Sequence, residues 1–297
     1  MFKNFIFLVL IICKNTTTAQ IIFADVSPNN NEFIFTPLFI KNNGIKEITT
    51  ALSTKKEGEK IKTKNEIETK TFYLYGLIEK EASYFLSKNG NDSLVNLYQY
   101  NKNLLPICKT TYDYSGLSSL CTEYLDNEMP TREIYSKIET TTDSTTLEKK
   151  LITHQISIEE FKYMANGSQL IKRVFNSNGK EYKQEKKTVD ELGYLKEISI
   201  NYIVNNFTSS FQFTYNQNGF LETKLIFDNA DLNYKTRYQY KYDAKNNITE
   251  IYTFRNDELI SERQFIYNQN NYFLDAMLQK DSGTNFIRIV KYRYLYH

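Results

Sequence analysis

Turn-forming residues recur along this chain at a fixed step, and the stretches between them alternate polar and apolar side chains. Candidate turn centres fall at Gly90, Gly116, Gly167, Gly193, Gly219, Asn246 and Asn271, a step of about 26 residues once the empty slot near Thr142 is counted as a degenerate copy. A second turn signal lies between successive centres, at Asp126-Asn127, Asn178-Gly179, Asn205-Asn206, Asp228-Asn229, Asn256-Asp257 and Asp281-Ser282-Gly283. Each repeat therefore holds two turns and two strands. Leu221 to Phe227, Tyr234 to Tyr242, Ile248 to Phe254 and Phe286 to Tyr296 all alternate with period two, the mark of a half-buried strand. Apolar spacing of three and four is not sustained over a helical length, and Ile156 to Met164 is the best short helical candidate. The expectation is an all-β chain: a long antiparallel meander of tandem hairpins, roughly twenty strands in a single sheet, with little or no helix. A sheet of that length twists, so it curls, wraps or closes rather than lying flat.

Composition agrees with the strand pattern. The 297 residues include 24 Tyr and 20 Phe but no Trp, and aromatic rings suit a pleated, half-buried surface. With 37 basic against 35 acidic residues there is no block of positive charge to follow a phosphate backbone, which argues against nucleic acid as a partner. The most charged window, Thr54 to Lys70, alternates its signs and reads as a solvated hairpin.

The first twenty residues resemble a cleavable export signal. Lys3 precedes the apolar run Phe5 to Cys13, and Thr17-Thr18-Ala19 before Gln20 fits a small-residue cleavage site. Residues 1–19 are thus expected to be removed after Ala19, leaving a secreted or periplasmic protein of the cell envelope. Cys13 follows the bulky Ile12, which disfavours a lipoprotein, and no later window is apolar for the ~20 residues of a spanning helix. Removal would leave Cys108 and Cys121. If Tyr114 and Ser115 form a two-residue turn, Asp113 faces Gly116 and Cys108 faces Cys121, a spacing compatible either with a disulfide or with two free thiols.

Aligned on their turns, the repeats share a pattern: aromatic, any residue, Tyr, Asp or Asn, two or three turn residues, Gly or Asn, any residue, aliphatic. Phe213 to Leu221 is the cleanest copy, with Tyr215, Asn216 and Gly219 at the key positions. Tyr242-Asp243 and Tyr267-Asn268 head close copies, while Tyr100-Asn101, Tyr112-Asp113, Phe175-Asn176 and Val189-Asp190 head weaker ones. The Asp or Asn caps its own turn, Gly or Asn takes the left-handed position, and paired aromatics pack across the strand. This resembles the RHS or YD-repeat family, and more closely its divergent exported relatives in Gram-negative bacteria. The resemblance is good from about Phe161 onward and faint from Gly44 to Lys150. It implies a β-sheet shell, in some members around a toxin, with sugar binding proposed for others. The chain departs from the family in lacking the Asp-Pro-x-Gly signature that ends an RHS core.

Two segments follow from the repeat quality: degenerate hairpins over residues 20–150 and YD-like hairpins over 151–297, divided near the Thr-rich stretch 136–150 or joined as one domain. For chemistry, His154 and His297 are the only imidazoles, and neither has Cys, His or paired carboxylates at ligand spacing. Nucleophile elbows, Walker loops and dinucleotide fingerprints do not occur. Asp190-Glu191 and Asp257-Glu258 sit at turns and read as caps. The sequence therefore assigns no catalytic, cofactor or metal residue, and points to a non-enzymatic binding or scaffold module whose partner is an envelope glycan or protein. A carboxylate-based envelope hydrolase, or a component or immunity partner of an RHS-like toxin system, stand as alternatives.

Overall fold

The computed structural model describes residues 20–28, 33–56, 58–87, 90–126, 128–142, 149–228 and 235–297. The expected export signal, Asn89, Asn127 and Asn229 lie outside the described residues.

The chain opens with a short hairpin, β1 (Ile22–Ala24) and β2 (Phe33–Phe35), and one helix, α1 (Pro37–Asn42). It continues through β3 (Ile45–Lys55), β4 (Lys62–Phe72), β5 (Ile78–Ser87), β6 (Gly90–Tyr100), β7 (Pro106–Asp113) and β8 (Gly116–Tyr124). Two longer strands follow, β9 (Pro130–Thr142) and β10 (Lys149–Asn166). Then come β11 (Gln169–Phe175), β12 (Glu181–Val189), β13 (Leu195–Tyr202), β14 (Phe207–Tyr215) and β15 (Leu221–Asp228). The last five are β16 (Lys235–Tyr242), β17 (Ile248–Arg255), β18 (Glu258–Tyr267), β19 (Leu274–Asp281) and β20 (Ile287–Tyr296).

Strands β3 to β20 form one antiparallel meander in sequence order, and β20 pairs back onto β3, so the 18 strands close into a barrel. Of the forms the sequence allows, the sheet takes the closed one, which corrects the curled or wrapped form of the expectation. Pairing the last strand with the first leaves the barrel without the unpaired edge that an open meander exposes. His297 N–H donating to Gly44 O at 3.0 Å extends the seam. The ladder runs unbroken past residue 150 inside β10.

One turn design dominates the rim on which β3 starts and β20 ends. At residues 73–77, 101–105, 125–129, 190–194, 216–220 and 243–247, the first N–H donates to the fifth carbonyl and the fourth N–H to the first carbonyl. The fourth residue has positive φ: Gly76, Leu104, Glu128, Gly193, Gly219 and Asn246. Where the first residue is Asn101, Asp190, Asn216 or Asp243, its Oδ1 also accepts from the third and fifth N–H groups. Each of these turns adjoins a register shift at the preceding residue, such as Tyr215 or Tyr242.

The repeat register differs from the sequence expectation. Gly90 and Gly116 start strands at the opposite rim, and Asn271 gives its left-handed place to Tyr272 (φ 60°). The interval from Gly116 to Gly167 holds three strands, two of them long at 13 and 18 residues, in place of the four that a degenerate repeat near Thr142 would supply. An odd strand number moves the turns to the other rim. The helical candidate Ile156 to Met164 lies within β10. The helix the sequence reading missed, α1, has Thr36 as N-cap, its Oγ1 accepting from Phe39 N–H at 3.2 Å, and Pro37 in its first turn.

A barrel this wide is not filled by its own side chains. Here residues 20–28 and 33–44 occupy part of the interior. Ile22 and Ile40 are fully buried against a core that includes Ile48, Ile198, Phe211, Phe213, Ile251 and Leu274. Phe33 meets Phe265 edge-on at 4.8 Å, Phe39 meets Phe273 at 5.0 Å, and Phe35 meets Tyr292 at 5.8 Å. At the segment's start, Gln20 Nε2 donates to Asn246 O at 2.9 Å and Ile21 N–H to Asn247 Oδ1 at 3.1 Å.

Strand alternation then sets the sidedness. On β13 to β18 the row opposite the core is mixed, with Glu197, Gln212, Gln239, Lys241, Glu250 and Gln264 sharing the outward face with Leu225 and Tyr252. That mixed wall is unlike the continuous apolar band of a lipid-facing barrel. On β5 to β9 the outward row through Ala82, Val95, Tyr112, Leu117 and Ile138 is apolar, apart from the phenol.

Candidate functional site

The interior has two characters. Over β13 to β20 and β3 it is the apolar core just described. Over β4 to β12 the inward positions are mostly polar, and they group in two clusters.

In the first cluster Lys70 of β4 and Glu81 of β5 form an ion pair at 3.0 Å, and the Tyr98 hydroxyl of β6 donates to Glu81. Burial would raise the Glu81 carboxyl, but Lys70 and Tyr98 together hold it below its usual value. Thr111 donates to Asn96 Oδ1 at 2.9 Å on the next strands.

The second cluster surrounds a cavity of about 210 Å³ at the rim, lined by Glu128, Met129, Pro130, Tyr163, Leu170, Lys172, Glu185 and Lys187. Its geometry follows from strand register. Tyr163 of β10 faces Lys172 of β11, Lys172 faces Glu185 of β12, and Leu170 faces Lys187, so two lysines and a carboxylate converge on one face of three neighbouring strands. Lys187 Nζ lies 3.3 Å from Glu185 Oε1, and Lys172 Nζ sits 3.5 Å from the Phe161 ring centroid. The Tyr163 hydroxyl donates to Pro130 O at 2.8 Å and so ties β10 to the turn that forms the mouth. At the mouth Glu128 holds a left-handed backbone, φ 65°.

Electrostatics in this cluster are unbalanced. Burial pulls the Lys172 ammonium below its usual pKa, although Glu185 and Glu133 act to raise it. Burial likewise pushes Glu133 above the usual carboxylate range, with Lys172 only partly opposing it. Glu133 of β9 is directly paired with Glu159 of β10, and the Tyr182 hydroxyl donates to Glu159.

The residues singled out from sequence lie elsewhere. Tyr215, Asn216 and Gly219, Tyr242 and Asp243, and Tyr267 and Asn268 occupy adjacent turns of the same rim, where they order the backbone. Tyr112 and Asp113 sit at the opposite rim, with Asp113 Oδ1 accepting from Ser115 N–H at 2.7 Å. Cys108 and Cys121 are paired in register and joined by a disulfide. His154 is a half-exposed strand residue 3.4 Å from Glu139. Asp190 caps its turn, whereas Asp257 pairs with Lys235 and Arg237 at 3.5 and 3.7 Å. Among the described residues no group of three or more His, Cys, Asp or Glu is placed to hold a metal ion. Sequence reasoning missed the cavity residues because charged side chains on a strand ordinarily face solvent. The usable signal was Lys183, Glu185 and Lys187 at period two, sharing a face.

No protein-family model and no curated protein matches the sequence. Among solved structures, a porin-like protein from Bacteroides uniformis aligns over 85% of this chain and 97% of its own at 12% identity and a TM-score of 0.38. A porin-like protein from Bacteroides vulgatus aligns over 82% and 97% at 12% identity and a TM-score of 0.29. A Photorhabdus luminescens Tc holotoxin pore chain aligns over 75% of this chain but 17% of its own, at 11% identity and a TM-score of 0.22. Likenesses this low in TM-score carry no argument about fold or function.

Proposed function

We propose that the chain is an exported, non-enzymatic binding barrel of the cell envelope, a divergent relative of the RHS-like repeat proteins, which holds its ligand inside the barrel. The observation that supports this most is the divided interior. The protein's own residues 20–28 and 33–44 fill one half, while the other half keeps a cavity at the rim in which Lys187 pairs with Glu185 but Lys172 is left out. Charges of both signs around an open space, with Lys172 desolvated among them, form a recognition surface, because a ligand that gives Lys172 a partner recovers part of the cost of burying it. The export reading is supported by the burial of Ile21 and Ile22, which puts the chain inside the barrel directly after the expected cleavage point.

Cell fractionation with mass spectrometry of the N-terminus tests export. The expected product begins at Gln20 and is found outside the cytoplasm; an intact Met1 chain in the cytoplasm would refute it. Thermal melting of the purified protein with envelope extracts tests binding, with a rise in melting temperature expected.

A second reading is favoured by Glu133, whose carboxyl is raised by burial and lies directly across from Glu159 on the inward face. Such a pair is the starting arrangement for carboxylate-based hydrolysis of a glycan. Turnover of envelope glycans that is lost in both Glu133→Gln and Glu159→Gln would establish it in place of the first.

A further inference from the structure

We propose that the cavity between the β8–β9 turn and strands β10 to β12 binds a small zwitterion of amino-acid or dipeptide size. Its carboxylate would lie on Lys172 and Lys187, and its ammonium on Glu185 and Glu128. The inference deepens the binding-barrel reading and rests on it.

The charge inventory of the walls is the first argument. Two lysines and two glutamates line a space of about 210 Å³, and with Lys187 and Glu185 paired to each other a singly charged ligand answers only one of Lys172 and Glu128, and a neutral one answers neither. A zwitterion answers both.

Their arrangement is the second. Lys172 and Glu185 are directly opposed on β11 and β12, and Lys187 lies two residues beyond Glu185 on the same face. Strand geometry therefore alternates cation, anion and cation at neighbouring positions of one face, so both ends of a small zwitterion meet an opposite charge there. Glu128 adds a second carboxylate from the turn, on the side where the cavity opens.

The third is that the pairing among the wall charges leaves Lys172 out. Glu185 reaches Lys187 at 3.3 Å, while Lys172 rests on the Phe161 ring, and burial still depresses its pKa. An incoming carboxylate gives that ammonium a charge-assisted partner at the point where it is most desolvated. The remaining walls, Met129, Pro130, Leu170 and the Tyr163 ring, are apolar and suit the short aliphatic side chain of a small amino acid.

Calorimetric titration of the purified protein near neutral pH with alanine and with alanyl-alanine tests this directly. N-acetylalanine and alanine amide keep one charge each, and glucose keeps neither. Saturable binding of alanine or the dipeptide is expected, with both singly charged forms weaker by at least about tenfold and glucose weaker still. Which of the two zwitterions binds more tightly assigns the source as a free amino acid or a peptide. Lys172→Met and Glu185→Gln should each weaken binding by at least about tenfold. The comparison among ligands uses the unaltered protein and so stands even if a variant fails to fold. Equal affinity for charged and neutral forms, or no binding of either zwitterion, overturns the assignment. If envelope extract still raises the melting temperature in that case, the ligand class is wrong while the binding-barrel reading survives.

Discussion

The phenolic hydroxyl of Tyr242 donates to the backbone carbonyl of Leu221 at 2.6 Å, and so joins the bulge before one turn to the first strand residue after the previous one. The same bond recurs around the rim: Tyr100 to Ile78, Tyr124 to Pro106, Tyr163 to Pro130, Tyr215 to Leu195, Tyr267 to Ile248 and Tyr294 to Leu274. Seven hairpins of this rim are thus fastened to their predecessors by one side chain, which gives the tyrosine of signature copies such as Tyr215-Asn216, Tyr242-Asp243 and Tyr267-Asn268 a physical purpose. The following Asp or Asn orders its own turn; the Tyr orders the neighbouring one.

Replacing Tyr242 by Phe keeps the ring and removes only this bond, leaving the Leu221 carbonyl short of a partner. A loss of about 1 kcal/mol is expected for Tyr242→Phe, and roughly twice that for the double variant with Tyr215→Phe. Urea unfolding provides the measurement. An unchanged midpoint in the double variant would show that the ladder is incidental.

Gly76 and Gly193 hold the same place in two turns of one rim, with φ of +89° and +86°, yet their surroundings differ. A Cβ on Gly193 meets nothing within 4 Å, whereas one on Gly76 lies 2.1 Å from Pro37 O at the start of α1. Gly193→Ala should cost only the backbone strain, about 1 kcal/mol. Gly76→Ala should cost more than about 2 kcal/mol, since it must also push α1 away. Limited proteolysis separates the two, with faster cleavage inside residues 20–44 expected for the Gly76 variant alone.

Lys224 is fully buried, and its ammonium donates to Ser27 O in the inserted segment at 2.7 Å. Burial lowers its pKa from 10.5 to about 8, against the upward pull of Asp25. Between those values the unfolded chain holds a proton that the folded one has released, so stability rises with pH across this window and is lost as pH falls through about 8. The full effect is of order 3 kcal/mol. Burial raises the pKa of the rim tyrosines, Tyr100 to about 12, so tyrosine ionisation in the unfolded chain reverses the slope above about pH 10. Urea midpoints taken from about pH 7 to about pH 9.5 should climb for the native protein and stay flatter for Lys224→Met. Parallel slopes would sink the argument.

Cys108 and Cys121 close a short loop, with a sequence separation of 13 residues. On loop length alone the crosslink is worth about 3 kcal/mol, through restriction of the unfolded chain. Reductant should lower the urea midpoint of the native protein and leave Cys108→Ser/Cys121→Ser unchanged.

Sequence by itself determined the local chemistry. Period-two alternation marked the strands, Asn-Gly and Asp-rich spacings marked the turns, and Tyr215-Asn216, Tyr242-Asp243 and Tyr267-Asn268 marked equivalent places, because these features depend on residues only a few positions apart. Tertiary structure alone decided the pairing of β20 with β3, the rim to which each turn belongs, and the burial of Ile22, Ile40 and Lys224. Closure depends on partners at the two ends of the chain, and an odd number of strands between Gly116 and Gly167 inverts the register without leaving a local mark. The candidate site shares that dependence. Lys172 and Glu185 have the side chains of solvated strand residues, and only the curvature that turns their face inward, beside a segment folded in from the start of the chain, makes them the wall of a cavity.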